Sequence, residues 1–221
     1  NIYEEKAHVV VSKKRSLQAA RAYKGTKTAV HNFASAKNPG GGVVNGASAQ
    51  EECLCRCSNL YFCLNTNEMM DGFYYPHRAM SSLFYNGDVI YTPDIIVFKS
   101  DDASPRTMPE KDWYEVDIIT CAAPNLRHGI PGGNMDLRTI HETRLRRMLD
   151  IAVAEGVESI VLGAFGCGAF MNDPAIVADA AKRVLKDYLY AFKNIEYAVY
   201  CSPKNDANYQ AFHRALAEYC G

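Results

Sequence analysis

Residues 28–64, TAVHNFASAKNPGGGVVNGASAQEECLCRCSNLYFCL, pass from a β-branched and aromatic run into a glycine-rich loop and then into a stretch of helical character. The run at 28–35 predicts a strand and 49–64 a helix. The same alternation continues outward in both directions. HVVVS (8–12), DIIVFK (94–99), YEVDIITCA (114–122), SIVLGAF (159–165) and EYAVYC (196–201) read as strands, several of them apolar almost throughout, as strands covered on both faces are. Residues 14–23, 135–155, 174–191 and 206–219 read as helices. Leu137, Ile140, Leu145, Met148 and Ile151 fall near helical spacing, and Val177, Ala180, Val184 and Tyr188 form one stripe. Asp173 before Pro174 supplies an N-cap followed by proline at the first helical position. Strands alternating with helices imply an α/β fold with a mostly parallel or mixed sheet, which binds ligands beyond the carboxyl ends of its strands.

No repeat, low-complexity tract or linker divides the 221 residues, so one domain over 1–221 is expected. A chain of this length buries roughly 70 % of its unfolded surface and needs no metal or disulfide staple. Its 48 % hydrophobic and 22 % charged residues exclude a disordered, collagen-like or coiled-coil protein. Twenty-four Lys+Arg against twenty-five Asp+Glu, a net charge of −1, argue against generic nucleic-acid binding. No apolar run approaches the ~20 residues that span a bilayer, and NIYEEKAHVVVSKKR lacks the order of a signal peptide. A soluble, cytoplasmic protein without a membrane partner is therefore expected. The first residue is Asn1, from which a trimmed tag or a truncated N-terminus is expected. Of eight cysteines, Cys53, Cys55, Cys57 and Cys63 crowd one stretch, while Cys121, Cys167, Cys201 and Cys220 stand singly. On a helix only Cys53 and Cys57 of the first three share a face, a poor zinc arrangement, so buried free thiols and no metal are expected.

Two glycine-rich loops each follow a strand and precede a helix, where backbone N–H groups and a helix end can cradle phosphate. The first runs Ser35-Ala36-Lys37-Asn38-Pro39-Gly40-Gly41-Gly42 and on to Gln50-Glu51-Glu52; the second is Gly163-Ala164-Phe165-Gly166-Cys167-Gly168-Ala169-Phe170. Neither has the P-loop pattern or the dinucleotide fingerprint with its distal acidic residue. Ser48-Ala49-Gln50-Glu51 has the form of a capping box, with Ser48 as cap and Glu51 able to reach back to its amide. Glu52 has no such duty. Adjacent helical residues diverge by about 100°, so Glu51 and Glu52 cannot flank a scissile bond as a glycosidase pair does. A single glutamate beside a phosphate cradle points to one group acting first as acid and then as base.

Gly40-Gly41-Gly42, seven intervening residues, then Gln50-Glu51-Glu52 resembles the signature of the microbial-type poly(ADP-ribose) glycohydrolases, which have a macrodomain fold. NFASAKNPGGG, YTPDIIVFKSDD, DIITCAAPN and VLGAFGCGAFMNDP extend the resemblance over nearly the whole chain. The resemblance implies a three-layer α/β/α macrodomain-like fold with a mixed central sheet. It further implies hydrolysis of the ribose–ribose bonds of poly(ADP-ribose), or of an ADP-ribosylated protein's polymer, from the free end, releasing ADP-ribose without a cofactor. Glu52 would be the catalytic acid/base and Glu51 would bond the ribose hydroxyls, while Gln50 would help hold the loop. Gly40, Gly41 and Gly42 would let the backbone approach the substrate. Gly166, Cys167, Gly168 and Ala169 would wrap the diphosphate, Phe170 would pack on the terminal ribose, and Ser35 and Asn38 would add contacts. The long loop after Lys99 and the HGIPGGN stretch after Asn125 are where insertions would shape polymer binding.

His141-Glu142 begins like a zincin helix, but position 145 is Leu where the second ligand would stand. His141 is expected on a helix face, and His8, His31, His77, His128 and His213 in structural roles. Cys167 near a helix N-terminus offers a Cys–His hydrolase reading without an identifiable base. The basic runs Lys13-Lys14-Arg15 and Arg146-Arg147 read as solvated faces, with guidance of an anionic polymer as the alternative. The alternatives to polymer hydrolysis are hydrolysis of mono-ADP-ribose on protein or nucleic acid, and a module that binds ADP-ribose without cleaving it.

Overall fold

The computed structural model describes residues 2–129 and 136–221, so residues 130–135, which take in most of the HGIPGGN stretch and the expected helix start at 135, lie outside the described residues. The strands are β1 (His8–Ser12), β2 (Thr28–Ala34), β3 (Val89–Val97), β4 (Tyr114–Ala122), β5 (Ser159–Leu162) and β6 (Asn194–Ala198). They form one sheet in the order β1-β6-β5-β2-β4-β3, parallel except for β3, which runs antiparallel to β4 at the edge. The mixed sheet expected from the sequence is thus present. The helices are α1 (Ser16–Arg21), α2 (Gln50–Cys57), α3 (Leu60–Leu64), α4 (Asn67–Met69), α5 (Tyr75–Ala79), α6 (Leu137–Ala154), α7 (Pro174–Leu185) and α8 (Ala207–Leu216).

Two apolar cores lie on opposite faces of the sheet. One gathers Leu17, Leu54, Leu60 and Leu64 of α1 to α3 against Val30, Ile118 and Val161. The other gathers Leu149, Val184 and Phe212 of α6 to α8 against Ala29, Ile119 and Ile160. Neighbouring strand residues therefore belong to different cores, which is why the Ile160–Leu162 run of β5 and the Ile118-Ile119 pair of β4 are apolar without alternation.

Several expected boundaries move; the strand expected at 159–165 ends at Leu162, and the one expected at 196–201 runs Asn194–Ala198. The strand expected at 94–99 begins at Val89, because Pro93, which has no N–H to donate, sits at the register shift between Thr92 and Ile95, where Asp94 takes φ 56°. The helix expected over 49–64 breaks at Ser58, whose extended backbone bridges to Val97, while Asn59 Oδ1 accepts from the Ile96 N–H at 3.0 Å. This covers part of the β3 edge. The helix expected to reach 191 ends at Leu185, followed by turns. The turns of Asn67–Ala79, including a π-helical segment at Met70–Tyr74, have no counterpart in the hydrophobic pattern, which Gly72 and Pro76 interrupt. Asp173 caps α7 as expected, accepting from the Ala175 N–H at 2.8 Å. Among the described residues no helix is long and apolar enough to cross a membrane.

Candidate active site

The loops at the carboxyl ends of the parallel strands enclose a cavity of about 700 Å³. Its floor is set by the first residues of α2. Parallel pairing of β2 with β5 ends at Val30, which frees the next backbone groups on that side of β2. Gln50 occupies them: its Oε1 accepts from the Phe33 N–H at 2.9 Å, and its Nε2 donates to the His31 carbonyl at 2.7 Å and to Ser16 Oγ at 3.0 Å. An amide side chain thus replaces a strand partner and ties the start of α2 to the sheet.

Glu51 is turned into the protein. Its Oε2 accepts from the Ser35 N–H at 2.7 Å and its Oε1 from Asn32 Nδ2 at 3.4 Å. Burial pushes its carboxyl up to about 8, helped by the neighbouring Glu52, although the hydrogen bonds from Ser35, Asn32 and Gly40 oppose the shift. The capping box is therefore not formed: α2 is N-capped by Ala49, without a side-chain bond, and Glu51 serves the first glycine loop instead of Ser48. Glu52, 7 % exposed, lines the cavity with Oε1 held by the Gly42 N–H at 2.8 Å. Its Oε2 has no partner among the described residues.

The glycine triplet is sterically fixed at this contact. Gly41 takes φ +60°, and a Cβ there would collide with Glu52 Oε1 and come within 3.0 Å of Glu51 Oε2. Ser35 Oγ accepts from the N–H groups of Lys37 and Asn38, at 3.2 and 3.1 Å, and so shapes the turn. Asn38 Oδ1 accepts from Arg78, which also bonds the Lys37 carbonyl. Ser35, Asn38, Gly41, Gly42, Gln50, Glu51 and Glu52 line the cavity, whereas Gly40 is packed behind it against Tyr61, Val43 and Cys55.

The second glycine loop forms the opposite wall through Ala164, Gly166, Gly168, Ala169 and Phe170. Gly166 has φ +74°, and a Cβ there would lie 2.6 Å from the Ala123 Cβ and 2.7 Å from Asn172 Nδ2. Among the described residues, the N–H groups of Gly168, Ala169 and Phe170 have no acceptor within the chain, an arrangement suited to an anion. Cys167 lies outside the lining, and burial pushes its thiol up to about 12, against the activated thiolate that a Cys–His hydrolase requires.

Two arginines complete the wall. Arg127 donates from Nε to the Ala169 carbonyl and lies 5.9 Å from the Phe170 ring centroid. Arg15 does not belong to a solvated basic face. Lys13 and Lys14 pair with Asp206 and Glu196, but Arg15 turns into the cavity, 3.8 Å from Asp101 and 4.3 Å from the Tyr200 ring centroid. Its place at the carboxyl end of β1 was the available signal, since every other parallel strand end also contributes to the site. Of the clustered cysteines, Cys55 and Cys57 are buried and Cys53 lines the cavity; all eight are free thiols.

Residues 2–100 match the family model described as the microbial-type PARG catalytic domain. No curated protein matches the chain. Poly(ADP-ribose) glycohydrolase from Deinococcus radiodurans, solved in complex with ADP-ribose, superposes with a TM-score of 0.87 at 35 % identity, over 98 % of this chain and 86 % of that one. The enzyme from Thermomonospora curvata, bound to the inhibitor ADP-HPD, gives 0.86 at 34 % identity over 94 % and 78 %. With the glycine triplet, Gln50-Glu51-Glu52 and the second loop gathered around one cavity, and with this agreement along both chains, the protein belongs to the microbial-type poly(ADP-ribose) glycohydrolase family.

Proposed function

We propose that the chain as a whole is a catalytic domain that hydrolyses the ribose–ribose O-glycosidic bonds of poly(ADP-ribose), removing ADP-ribose from the free end, with Glu52 as acid and base. One observation carries the reading: Glu52 lines a cavity sized for a nucleotide between two glycine loops, with one carboxylate oxygen fixed by the Gly42 N–H and the other without a partner among the described residues. A reader of ADP-ribose has no need of a carboxyl so held.

In the first step the Glu52 carboxyl gives its proton to the departing ribose oxygen as the bond to the anomeric carbon breaks, leaving an oxocarbenium-like centre. The carboxylate then takes a proton from water as the water oxygen bonds that carbon, which restores Glu52 and completes ADP-ribose. Glu51, mostly protonated at pH 7, adds little negative charge beside Glu52 and presents its carboxyl to the ribose hydroxyls. The diphosphate sits against the N–H groups of Gly168, Ala169 and Phe170 with Arg127 beside them, and Phe170 packs on the terminal ribose. Because backbone amides and Arg127 serve the anion, a chain of net charge −1 suffices. ADP-ribosylated protein supplies the polymer.

Incubation of the purified protein with labelled poly(ADP-ribose), and separately with mono-ADP-ribosylated protein, tests the reading when release and binding are scored apart. Free ADP-ribose accumulating from the polymer is expected. Binding without turnover would establish a reader, release from the mono-modified protein alone a different hydrolase, and oligomeric early products an internal mode of cleavage.

A further inference from the structure

Behind the second glycine loop lies a second, much smaller space of about 20 Å³ between α6, α7, β5 and β6. Most of its lining is apolar: Leu145, Met148, Leu162, Val177 and Phe212 contribute. Three of the lining residues also carry a buried polar atom without a partner among the described residues: His31 Nε2, His141 Nδ1 and the Tyr197 hydroxyl. Orphaned buried polar atoms are rare, because each forfeits its hydration without recovering a bond. Three around one space demand a common partner.

The surrounding bonds determine what each atom can offer. Asn172 Nδ2 lies 2.8 Å from the Pro124 carbonyl, 3.1 Å from that of Gly166 and 3.3 Å from that of Phe170, so the amide nitrogen must face these acceptors. Asn172 Oδ1 then faces His141 Nε2 at 2.9 Å and must accept, which places the ring proton on Nε2 and leaves Nδ1 an acceptor. For one partner to serve all three groups, His31 Nε2 must accept as His141 Nδ1 does, with the His31 ring proton on Nδ1. Burial lowers the affinity of both rings for a second proton, to about 3 for His31 and about 4 for His141. The Tyr197 hydroxyl is the one group able to donate.

We propose that this space holds a single internal water molecule, which donates to His31 Nε2 and His141 Nδ1 and accepts from the Tyr197 hydroxyl, and that His141 so fixed makes Asn172 the positioning residue of the second glycine loop. A water needs about 10–15 Å³ of such space and two to four polar partners, and both conditions are met. No other small species matches two acceptors and one donor so well: an ammonium ion would leave the tyrosine donor unmet, and an anion would find only one donor. The loop is reached by two routes. Asn172 clamps the carbonyls at both ends of Gly166–Phe170 and that of Pro124 after β4. Phe165, within the same loop, meets the His31 ring at 4.5 Å between centroids and the His141 ring at 5.5 Å, edge to face in both cases. Loop geometry at the cavity thereby depends on a hydrogen-bonded hub that does not itself touch substrate.

The water and the tautomers are tested on the unaltered protein. Long-range proton–nitrogen NMR of the histidine rings is expected to show His141 protonated on Nε2 and His31 on Nδ1, both neutral from pH 5 to pH 8. A crystal structure at a resolution that orders internal waters is expected to place one water within hydrogen-bond reach of all three atoms. A dry space there, or His141 protonated on Nδ1, would overturn the hub. The loop half of the inference rests on the proposed function and is read by ADP-ribose titration. Asn172→Ala, checked for native circular dichroism, is expected to weaken ADP-ribose binding at least about 10-fold, with Asn172→Gln recovering little because the longer amide cannot reach the same three carbonyls. Unchanged affinity in folded Asn172→Ala would remove Asn172 from its positioning role, whereas failure of the wild type to bind ADP-ribose would count against the function and leave the NMR result standing.

Discussion

Replacing Glu51 by Gln exchanges a buried carboxyl for a neutral group of nearly the same shape, and the effect should depend on pH in a calculable way. The carboxyl titrates near 8 in the fold against an ordinary value of 4.5. Because the folded value is the higher, the folded state holds this proton more tightly than the unfolded state does. Its contribution to stability is complete below about pH 4.5 and is lost as pH rises through about 8. At about 1.4 kcal/mol per pH unit, the wild type gives up roughly 2–3 kcal/mol between pH 5 and pH 7 and roughly 4 kcal/mol by pH 9. The amide introduced by Glu51→Gln does not titrate. Its carbonyl can keep the Ser35 N–H, and a swap of the Asn32 amide, whose Oδ1 has no partner among the described residues, lets Asn32 accept from the new side-chain NH₂. Urea unfolding of both proteins at pH 5, 7 and 9 measures the difference, and groups that titrate alike in both cancel. Glu51→Gln should gain on the wild type by roughly 4 kcal/mol from pH 5 to pH 9. A stability difference that stays flat across this range would refute the assignment of a buried, proton-retaining Glu51.

Three further outcomes follow from the loops. Gly41→Ala drives a methyl group into the Glu52 and Glu51 carboxyl groups and forces a left-handed backbone on alanine; we expect a loss of about 1–2 kcal/mol in urea unfolding from strain alone and at least ~10²-fold in turnover, whereas Gly168→Ala, whose Cβ meets open space, should unfold like the wild type. Cys167→Ser should retain most of the turnover, because the buried thiol is far from ionising and the loop acts through its backbone; loss of ~10²-fold would instead indicate a nucleophilic cysteine. Arg127→Ala should weaken ADP-ribose binding in calorimetric titration, and the wild type's affinity should fall more steeply with salt than the variant's.

The sequence made the strands, the mixed sheet and the two glycine loops legible because each is a local pattern: β-branched runs, an Asp-Pro helix start, glycine where a Cβ cannot fit. It placed the 89–93 half of β3 outside any strand, since Pro93 interrupts a run that only the antiparallel partner β4 completes. The capping box at Ser48 had the right spacing, yet Glu51 bonds Ser35 in the loop after β2 and Asn32 on β2, contacts 16 and 19 residues away in the chain that spacing cannot express. Arg15 read as one of three basic residues on a solvated face; its place after β1 hinted at the site, but its contacts with Tyr200 and Asp101, which set it apart from Lys13 and Lys14, come from elements far along the chain. The His31, His141 and Tyr197 hub joins β2, α6 and β6 and has no sequence signature.

The role of Glu52 is tested most directly by Glu52→Gln, whose side-chain carbonyl can still accept from the Gly42 N–H and so preserve the local geometry. Turnover of poly(ADP-ribose) and binding of ADP-ribose are measured on the same preparation. Turnover should fall at least ~10²-fold with ADP-ribose affinity within a few-fold of the wild type, because only proton transfer is removed. Undiminished turnover in Glu52→Gln would contradict the assignment of Glu52 as acid and base.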